Sequence, residues 1–464
     1  MLTEDKVLQI DPSIFRAYDI RGIVGDALTE QSVYAIGKAL GSMAIEQNEK
    51  RMVVGRDGRL SGPLLSEALF SGITSTGCDV INIGVVPTPL LYYATFVLDS
   101  SSGVMLTGSH NPAEYNGLKM ILGRKNLAEE EIQKIKHYIE KENYQYGEGK
   151  LSNLDMIDRY MLHVERDTKL NRPLKIVIDC GNGVASNVAP ELYRKLGCEV
   201  IGLYCDIDGS FPNHHPDPSQ LENMQDLIES VKSNGADLGL AFDGDGDRLG
   251  VVTNKGEVIW PDRQLMLFAK SVLQKRPNAK IIYDVKCTSH LDKVINDLGG
   301  EPLMWKTGHS FIKTKLQETQ AALAGEMSGH IFFKEGWYGF DDAIFAGAKL
   351  LEIVANETRH ISCIFSEFPD SINTPELKVF TTDAEKFELM NKIIKQADFK
   401  DAKRVTIDGL RVNFKDGWGL VRPSNTTPCL VLRFEADSKD ALARIQKQFK
   451  DLLLSIKNDL VLPF

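Results

Sequence analysis

The chain has no apolar stretch long enough to cross a membrane. The best candidate, 344–355, is interrupted by Lys349 and Glu352, well short of the ~20 apolar residues a spanning helix requires. It also lacks the opening of a signal peptide, since Glu4 and Asp5 stand where a basic region followed by an apolar one belongs. Cysteine is sparse: Cys78, Cys180, Cys198, Cys205, Cys287, Cys363 and Cys429 are odd in number, scattered and without CxxC spacing. That argues against a disulfide framework or a zinc site and leads us to expect a reducing cytoplasm. Positive charge is short as well. The net charge is −10, and no basic stripe interleaved with aromatics is present, so neither nucleic acid nor membrane is expected as a partner. No tract is of low complexity. An acidic protein that binds an anionic small molecule must gather its cations locally, which draws attention to single Arg and Lys residues in glycine-rich loops.

What is present is ordinary for a soluble globular protein: 464 residues, 43% hydrophobic, 25% charged, 38 glycines. That length exceeds one core and implies about three or four domains. One pattern recurs three times. An apolar run (52–54, 175–178, 280–283) ends in a polar loop, followed by a helical stretch, a glycine stop and another strand. The loops are Gly55-Arg56-Asp57-Gly58, Asp179-Cys180-Gly181-Asn182-Gly183 and Asp284-Val285-Lys286-Cys287. This is the grammar of a parallel α/β sheet. After each unit comes a further apolar strand with an unusual loop at its end. Strand 103–106 runs into Thr107-Gly108-Ser109-His110-Asn111-Pro112, 238–242 into Asp243-Gly244-Asp245-Gly246-Asp247-Arg248, and 321–324 into Gly325-Glu326-Met327-Ser328-Gly329-His330. Ligands of such sheets bind beyond the carboxyl ends of the strands, so one site assembled from these loops is expected. Past about 370 the pattern changes: strands are expected over 374–381, 404–414, 417–421 and 430–436, then a helix over 438–457, an α+β layer.

Three carboxylates at alternate positions, spaced by glycines, can converge on one hard cation. An EF-hand is excluded because its sixth position would be Arg248 and its twelfth Asn254. With only three protein carboxylates the cation keeps open positions, as Mg²⁺ does when it shares a phosphate. Ser109 beside His110 is not a Gly-x-Ser-x-Gly elbow, so acyl transfer is unsupported. Lys119, in Asn116-Gly117-Leu118-Lys119, could return a cation to that site or lie on the surface. Arg422-Pro423-Ser424-Asn425-Thr426-Thr427-Pro428 offers a guanidinium, hydroxyls and an amide that can wrap a phosphate monoester, or form a polar hairpin.

Together these loops resemble the α-D-phosphohexomutase superfamily, most closely its bacterial phosphomannomutase/phosphoglucomutase branch, in the same order from Phe15 to Pro428. The resemblance implies three similar α/β domains with mixed, mainly parallel sheets (1–154, 155–257, 258–370) and a C-terminal α+β domain (371–464) around a central cleft. It makes Ser109 a phosphoserine and a ligand, with Asp243, Asp245 and Asp247, of one Mg²⁺ per chain. Arg248 would face the transferring group. Glu326, Ser328 and His330 belong to a sugar-reading loop; Arg422, Ser424, Asn425 and Thr426 would hold the non-reacting phosphate. Tyr18, Arg21, Lys119, Lys286 and His309 would line the cleft, with Arg21, Lys119 and His309 as the acid–base and charge-stabilising group. The implied reaction interconverts the 1- and 6-phosphates of mannose and glucose through a hexose 1,6-bisphosphate, which would also serve as activator, in a monomer or weak dimer. The rivals are a phosphoglucosamine mutase, a metal-dependent sugar phosphatase, which has no use for Ser109 or the Arg422 loop, and a silent sugar-phosphate binding protein.

Overall fold

The structure, a computed structural model, describes residues 10–425 and 427–464. Its contacts group into two compact units. The first comprises the chain up to Gln264 together with Ser328–Ile364, the second Leu265–Met327 with Phe365–Phe464.

The threefold repeat is visible as one three-stranded kernel built three times. In the first unit, Arg51–Arg56 lies between parallel neighbours Asp79–Val85 and Gly103–Leu106. Lys175–Asp179 likewise lies between Glu199–Leu203 and Leu238–Phe242. In the second unit, Lys280–Asp284 is flanked in parallel by Glu301–Trp305 and Leu323–Gly325. Strands such as Leu238–Phe242 are buried along their whole length, which is why they read as unbroken apolar runs rather than alternating ones. The sheets are mixed, because antiparallel strands extend the kernels: Tyr115–Leu122 pairs with Gly103–Leu106 and with Ile20–Ile23, and Leu249–Thr253 pairs with Leu238–Phe242.

Parallel pairing has a direct consequence for the loops. Arg56 lies opposite Leu106, so the segments that begin at Asp57 and Thr107 leave the sheet side by side. Asp179 lies opposite Ala241, which brings the loop after Asp179 beside the aspartate loop.

The C-terminal sheet of the second unit is antiparallel, with Gly417–Pro423 and Cys429–Ala436 at its centre and the helices Asp383–Gln396 and Lys439–Ile456 contacting it. The single strand expected over 404–414 is two, Lys403–Val405 and Leu410–Phe414. The break is a turn at Asp408 and Gly409, the latter at φ +76°, where a side chain would be strained. A polar seam ties this sheet to the loop after Lys280–Asp284. Arg411 Nη1 donates to the carbonyls of Val285 (2.7 Å) and Cys287 (2.8 Å), Arg433 donates to that of Lys286, and Glu435 accepts from Thr288 Oγ1 (3.0 Å) and Ser289 N (3.1 Å). No described helix is long and apolar enough to cross a membrane.

Candidate active site

Ser109 sits in the turn that follows Gly103–Leu106, buried, with φ +49°. A non-glycine residue in the left-handed region is uncommon and marks a place worth inspecting for function. This backbone points Oγ at Asp243, whose Oδ2 lies 3.2 Å away, with His110 Nδ1 at 3.3 Å. The two loops touch through their main chains too. A Cβ at Gly244 would stand 2.5 Å from the Ser109 carbonyl oxygen, so only glycine lets the aspartate loop come this close.

The three aspartates converge as the spacing predicts. Asp243, Asp245 and Asp247 are fully buried, and one oxygen from each lies within 4.8 Å of the others. Asp243 Oδ1 accepts from the backbone N–H groups of Asp247 (3.0 Å) and Arg248 (3.1 Å), which curls the loop around its own first carboxylate. Thr88 braces the loop from a neighbouring helix start: its N–H donates to the Asp245 carbonyl (2.8 Å) and its hydroxyl to Asp245 Oδ2 (2.5 Å). Asp245 Oδ1 is buried and accepts no hydrogen bond. A buried, unpartnered carboxylate oxygen is costly in protein alone, and it is the donor that a hard divalent cation takes. The residues present therefore fit Mg²⁺.

The cations that serve this cluster are buried or partly buried. Lys119, projecting from Tyr115–Leu122, places Nζ 2.7 Å from Asp245 Oδ2 and 2.5 Å from Asp247 Oδ2. Burial alone would depress its pKa, but Asp245 and then Asp247 overcome this and hold the ammonium above its ordinary range. Arg248 is set between Asp217 (3.6 Å) and Asp243 (3.9 Å). His330 Nε2 lies 3.2 Å from Asp247 Oδ1, and its Nδ1 lies 2.8 Å from Ser328 Oγ. Burial, then Arg248, Arg21 and Lys119, push His110 well below the ordinary histidine range and keep it neutral. Arg21 is nine-tenths buried and donates to Asp19 and to Asn111 in the serine loop. Tyr18 is half-buried two residues beyond Arg16. Lys119 thus lies buried beside the aspartates and not on the surface.

The second unit carries another polar group. Arg422 and Ser424 are buried; Arg422 Nε donates to Asp408 (2.9 Å), and Ser424 Oγ lies 2.8 Å from Thr427 Oγ1. Asn425 is half-buried beside them, and Thr426 lies outside the described residues. Asp408 also accepts from Thr307 N (2.9 Å), and Glu326 accepts from Gly308 N (2.6 Å). His309 begins the helix His309–Thr319, its Nδ1 3.2 Å from Lys313 Nζ. Lys286 Nζ lies 2.6 Å from Glu376.

Sequence models of the phosphoglucomutase/phosphomannomutase family match in register with this architecture: its α/β/α domains I, II and III over 12–146, 158–256 and 260–371, and its C-terminal domain over 376–452. The chain belongs to this family. Four domains, three α/β and one C-terminal, are thus its organisation. The chain is 53% identical over 459 residues to a phosphomannomutase/phosphoglucomutase of Pseudomonas aeruginosa, covering 99% of each chain. To a phosphoglucomutase of Neisseria meningitidis it is 52% identical over 449 residues, 96% of this chain and 97% of that one. A crystal structure of a phosphoglucomutase/phosphomannomutase family protein from Burkholderia thailandensis superposes with a TM-score of 0.94 at 50% identity, covering 98% and 100% of the two chains. These relatives place the chain in the bacterial branch of the α-D-phosphohexomutase superfamily.

Sequence reasoning missed several members of the site. Thr88, Asn111 and Asp217 hold the aspartate loop, Arg21 and Arg248 respectively, while Asp57 and Arg59 lie under the serine loop. Asp217 could have been suspected from the dense Asn213-His214-His215-Pro216-Asp217-Pro218 segment. Thr88 carries no local signal.

Proposed function

We propose that this protein is a magnesium-dependent hexose-phosphate mutase that interconverts the 1- and 6-phosphates of mannose and glucose, with Ser109 carrying the phosphoryl group. The observation that supports this most directly is Ser109 Oγ, held 3.2 Å from Asp243 in a buried triad with an unpartnered oxygen on Asp245. A phosphatase needs only the acidic loop; it has no need of a strained serine aimed into it.

Asp243, Asp245 and Asp247 would hold Mg²⁺, with a phosphate oxygen on Ser109 as a further ligand. When bound, the ion would offset the charge of roughly −1.5 to −2 that a phosphate adds and polarise its oxygens. Phosphoryl transfer asks mainly for alignment and charge neutralisation, and the protein groups supply both. Lys119 and Arg248 bring two cations to three carboxylates, and Asp217 holds Arg248 in place. Arg21 braces Asn111 and, through it, the turn that bears Ser109. Arg422, Ser424, Asn425 and Thr426 would hold the phosphate that is not reacting, while Glu326, Ser328 and His330 would read sugar hydroxyls. The cycle passes phosphate to the free sugar hydroxyl, and the hexose 1,6-bisphosphate then returns its other phosphate to Ser109. That bisphosphate would also act as activator for enzyme that has lost its phosphate. Domain boundaries near 154, 257 and 370 and a cytoplasmic location complete the proposal, the latter supported by seven cysteines that are all free thiols.

A coupled assay tests it: mannose 1-phosphate and glucose 1-phosphate are supplied with and without Mg²⁺ and a trace of the 1,6-bisphosphate. Turnover of both sugars that requires Mg²⁺ is expected. Release of inorganic phosphate without 6-phosphate product would point to a phosphatase instead.

A further inference from the structure

We infer that Asp57 and Arg59 are positioning residues for Ser109. The buried guanidinium of Arg59 gathers the serine loop onto its N–H groups, and Asp57, through Thr107, fixes the backbone that aims the Ser109 hydroxyl. This rests on the reading of Ser109 as the phosphoryl carrier.

The geometry follows from the sheet. Asp57 N donates to the Leu106 carbonyl (3.0 Å), so the two loops start in contact. Asp57 Oδ1 accepts from Arg59 N (3.0 Å), and its Oδ2 from Arg59 Nε (3.2 Å), Thr107 Oγ1 (2.8 Å) and Gly108 N (3.1 Å). Thr107 Oγ1 in turn accepts from Ser109 N (2.7 Å). A relay of two hydrogen bonds thus runs from the Asp57 carboxylate to the backbone of the strained serine.

Arg59 completes the arrangement. Its side chain is fully buried. Nη1 donates to the carbonyls of Pro112 and Tyr115 (2.9 Å), and Nη2 to those of Ser109 (2.9 Å) and Asn111 (2.6 Å). With Nε on Asp57, all five N–H groups of the guanidinium are used. The four carbonyls all belong to 109–115, the turn that bears the reacting hydroxyl. Glycine at 108 is part of the same fit, since a Cβ there would come within 2.4 Å of the guanidinium. The Phe211 ring covers the group, its centroid 5.2 Å from Cζ. Lysine, with three donors on a point charge, cannot reproduce this fork.

A buried ion pair is weak evidence for stability, but this one holds a left-handed serine against its own preference. Holding a reacting atom in place is worth much in phosphoryl transfer: a 1 Å misplacement can cost ~100-fold.

The test uses the full-length enzyme and three variants, Thr107→Val, Thr107→Ser and Arg59→Lys, with Ser109→Ala assayed alongside. Steady-state kinetics, thermal unfolding and single-turnover transfer from the phosphorylated enzyme to glucose 1-phosphate, followed by intact mass, are measured on each. Thr107→Val removes the relay hydroxyl at nearly constant volume. It is expected to lower kcat and the single-turnover rate by roughly ten- to a hundredfold while KM stays within about twofold. Thr107→Ser should restore both, and Arg59→Lys should fail like Thr107→Val or worse. If Ser109→Ala is inactive yet folded Thr107→Val and Arg59→Lys transfer phosphate at the wild-type rate, the inference falls alone. A fully active Ser109→Ala would overturn the phosphoserine reading and this inference with it.

Discussion

Lys119 Nζ stands 2.5 Å from Oδ2 of Asp247. The same ammonium reaches Asp245 at 2.7 Å, so a lysine already serves as counter-ion to the acidic triad. A divalent cation that takes the unpartnered Asp245 Oδ1 enters a triad whose charge this ammonium already offsets in part.

This sets up the first prediction. Lys119→Met keeps an unbranched side chain one atom shorter and removes its charge. Magnesium should bind the variant more tightly, by roughly ten- to a hundredfold, since the triad loses a neighbouring positive charge whose charged hydrogen bond is worth about 1.5–3 kcal/mol. Turnover should fall at the same time, because the transferring phosphate loses a cation. Calorimetric titration with Mg²⁺ and a saturating-substrate assay read the two effects separately. Unchanged or weaker Mg²⁺ binding would show that the lysine and the metal do not compete.

Ser109→Ala should lose nearly all turnover while its thermal unfolding stays close to wild type. A mutase without its phosphoryl carrier can only bind substrate. Intact-mass measurement should find phosphate on the wild-type protein and none on the variant. Wild-type activity in the variant without added bisphosphate would refute the Ser109 mechanism.

Arg422→Ala should act mainly on KM. Arg422 is buried and paired with Asp408 at 2.9 Å, and its proposed duty is to hold the phosphate that does not react. Losing a hydrogen bond to a charged group corresponds to a rise of roughly ten- to a hundredfold in KM with kcat little changed. A large fall in kcat at constant KM would assign Arg422 to the chemistry.

The last prediction concerns stability and pH. Asp342 is the N-cap of Ala343–Ala355 and accepts from Phe345 N (2.9 Å), Tyr160 Oη (2.9 Å) and Trp337 Nε1 (3.1 Å). Burial nonetheless raises its pKa to about 7, against these donors. The native carboxyl then holds a proton that the unfolded chain releases above about 4, so its contribution to stability is full below about 4 and falls as pH rises to about 7. Asp342→Asn removes that slope. Denaturant unfolding of both proteins between pH 4 and 7 should show the stability of the variant changing more positively with pH, by about 1.4 kcal/mol per unit. Parallel curves would mean that Asp342 is ionised in the native state across this range.

Much of the fold could be read from the sequence where a signal is local. The three kernels announce themselves because buried parallel strands are continuous apolar runs, and the aspartate loop because its spacing needs no partner to be recognised. The break at Asp408 and Gly409 is a turn signal masked by apolar residues on both sides, so 404–414 reads as one strand. The helix Asp383–Gln396 has no clear local signal, its apolar residues being dispersed among charged ones. In the site, Ser109, the aspartates and Arg422 carry local motifs. Arg59 does not, for its carbonyl partners lie 50 to 56 residues further on and only the pairing of Arg51–Arg56 with Gly103–Leu106 brings them together. Thr88 is further still from Asp245, 157 positions along the chain. Long-range contacts of this kind are set by topology, which no single stretch of sequence displays.

The polar seam in the second unit bears on how two cations are held. Arg411, Arg433 and Glu435 grip the main chain on both sides of Lys286, while Arg422 belongs to the strand Gly417–Pro423 of the same sheet. The main chain at Lys286 is therefore fastened to the sheet that carries Arg422. The placement of these two cations is thus a property of the sheet and its seam together, and of neither loop alone.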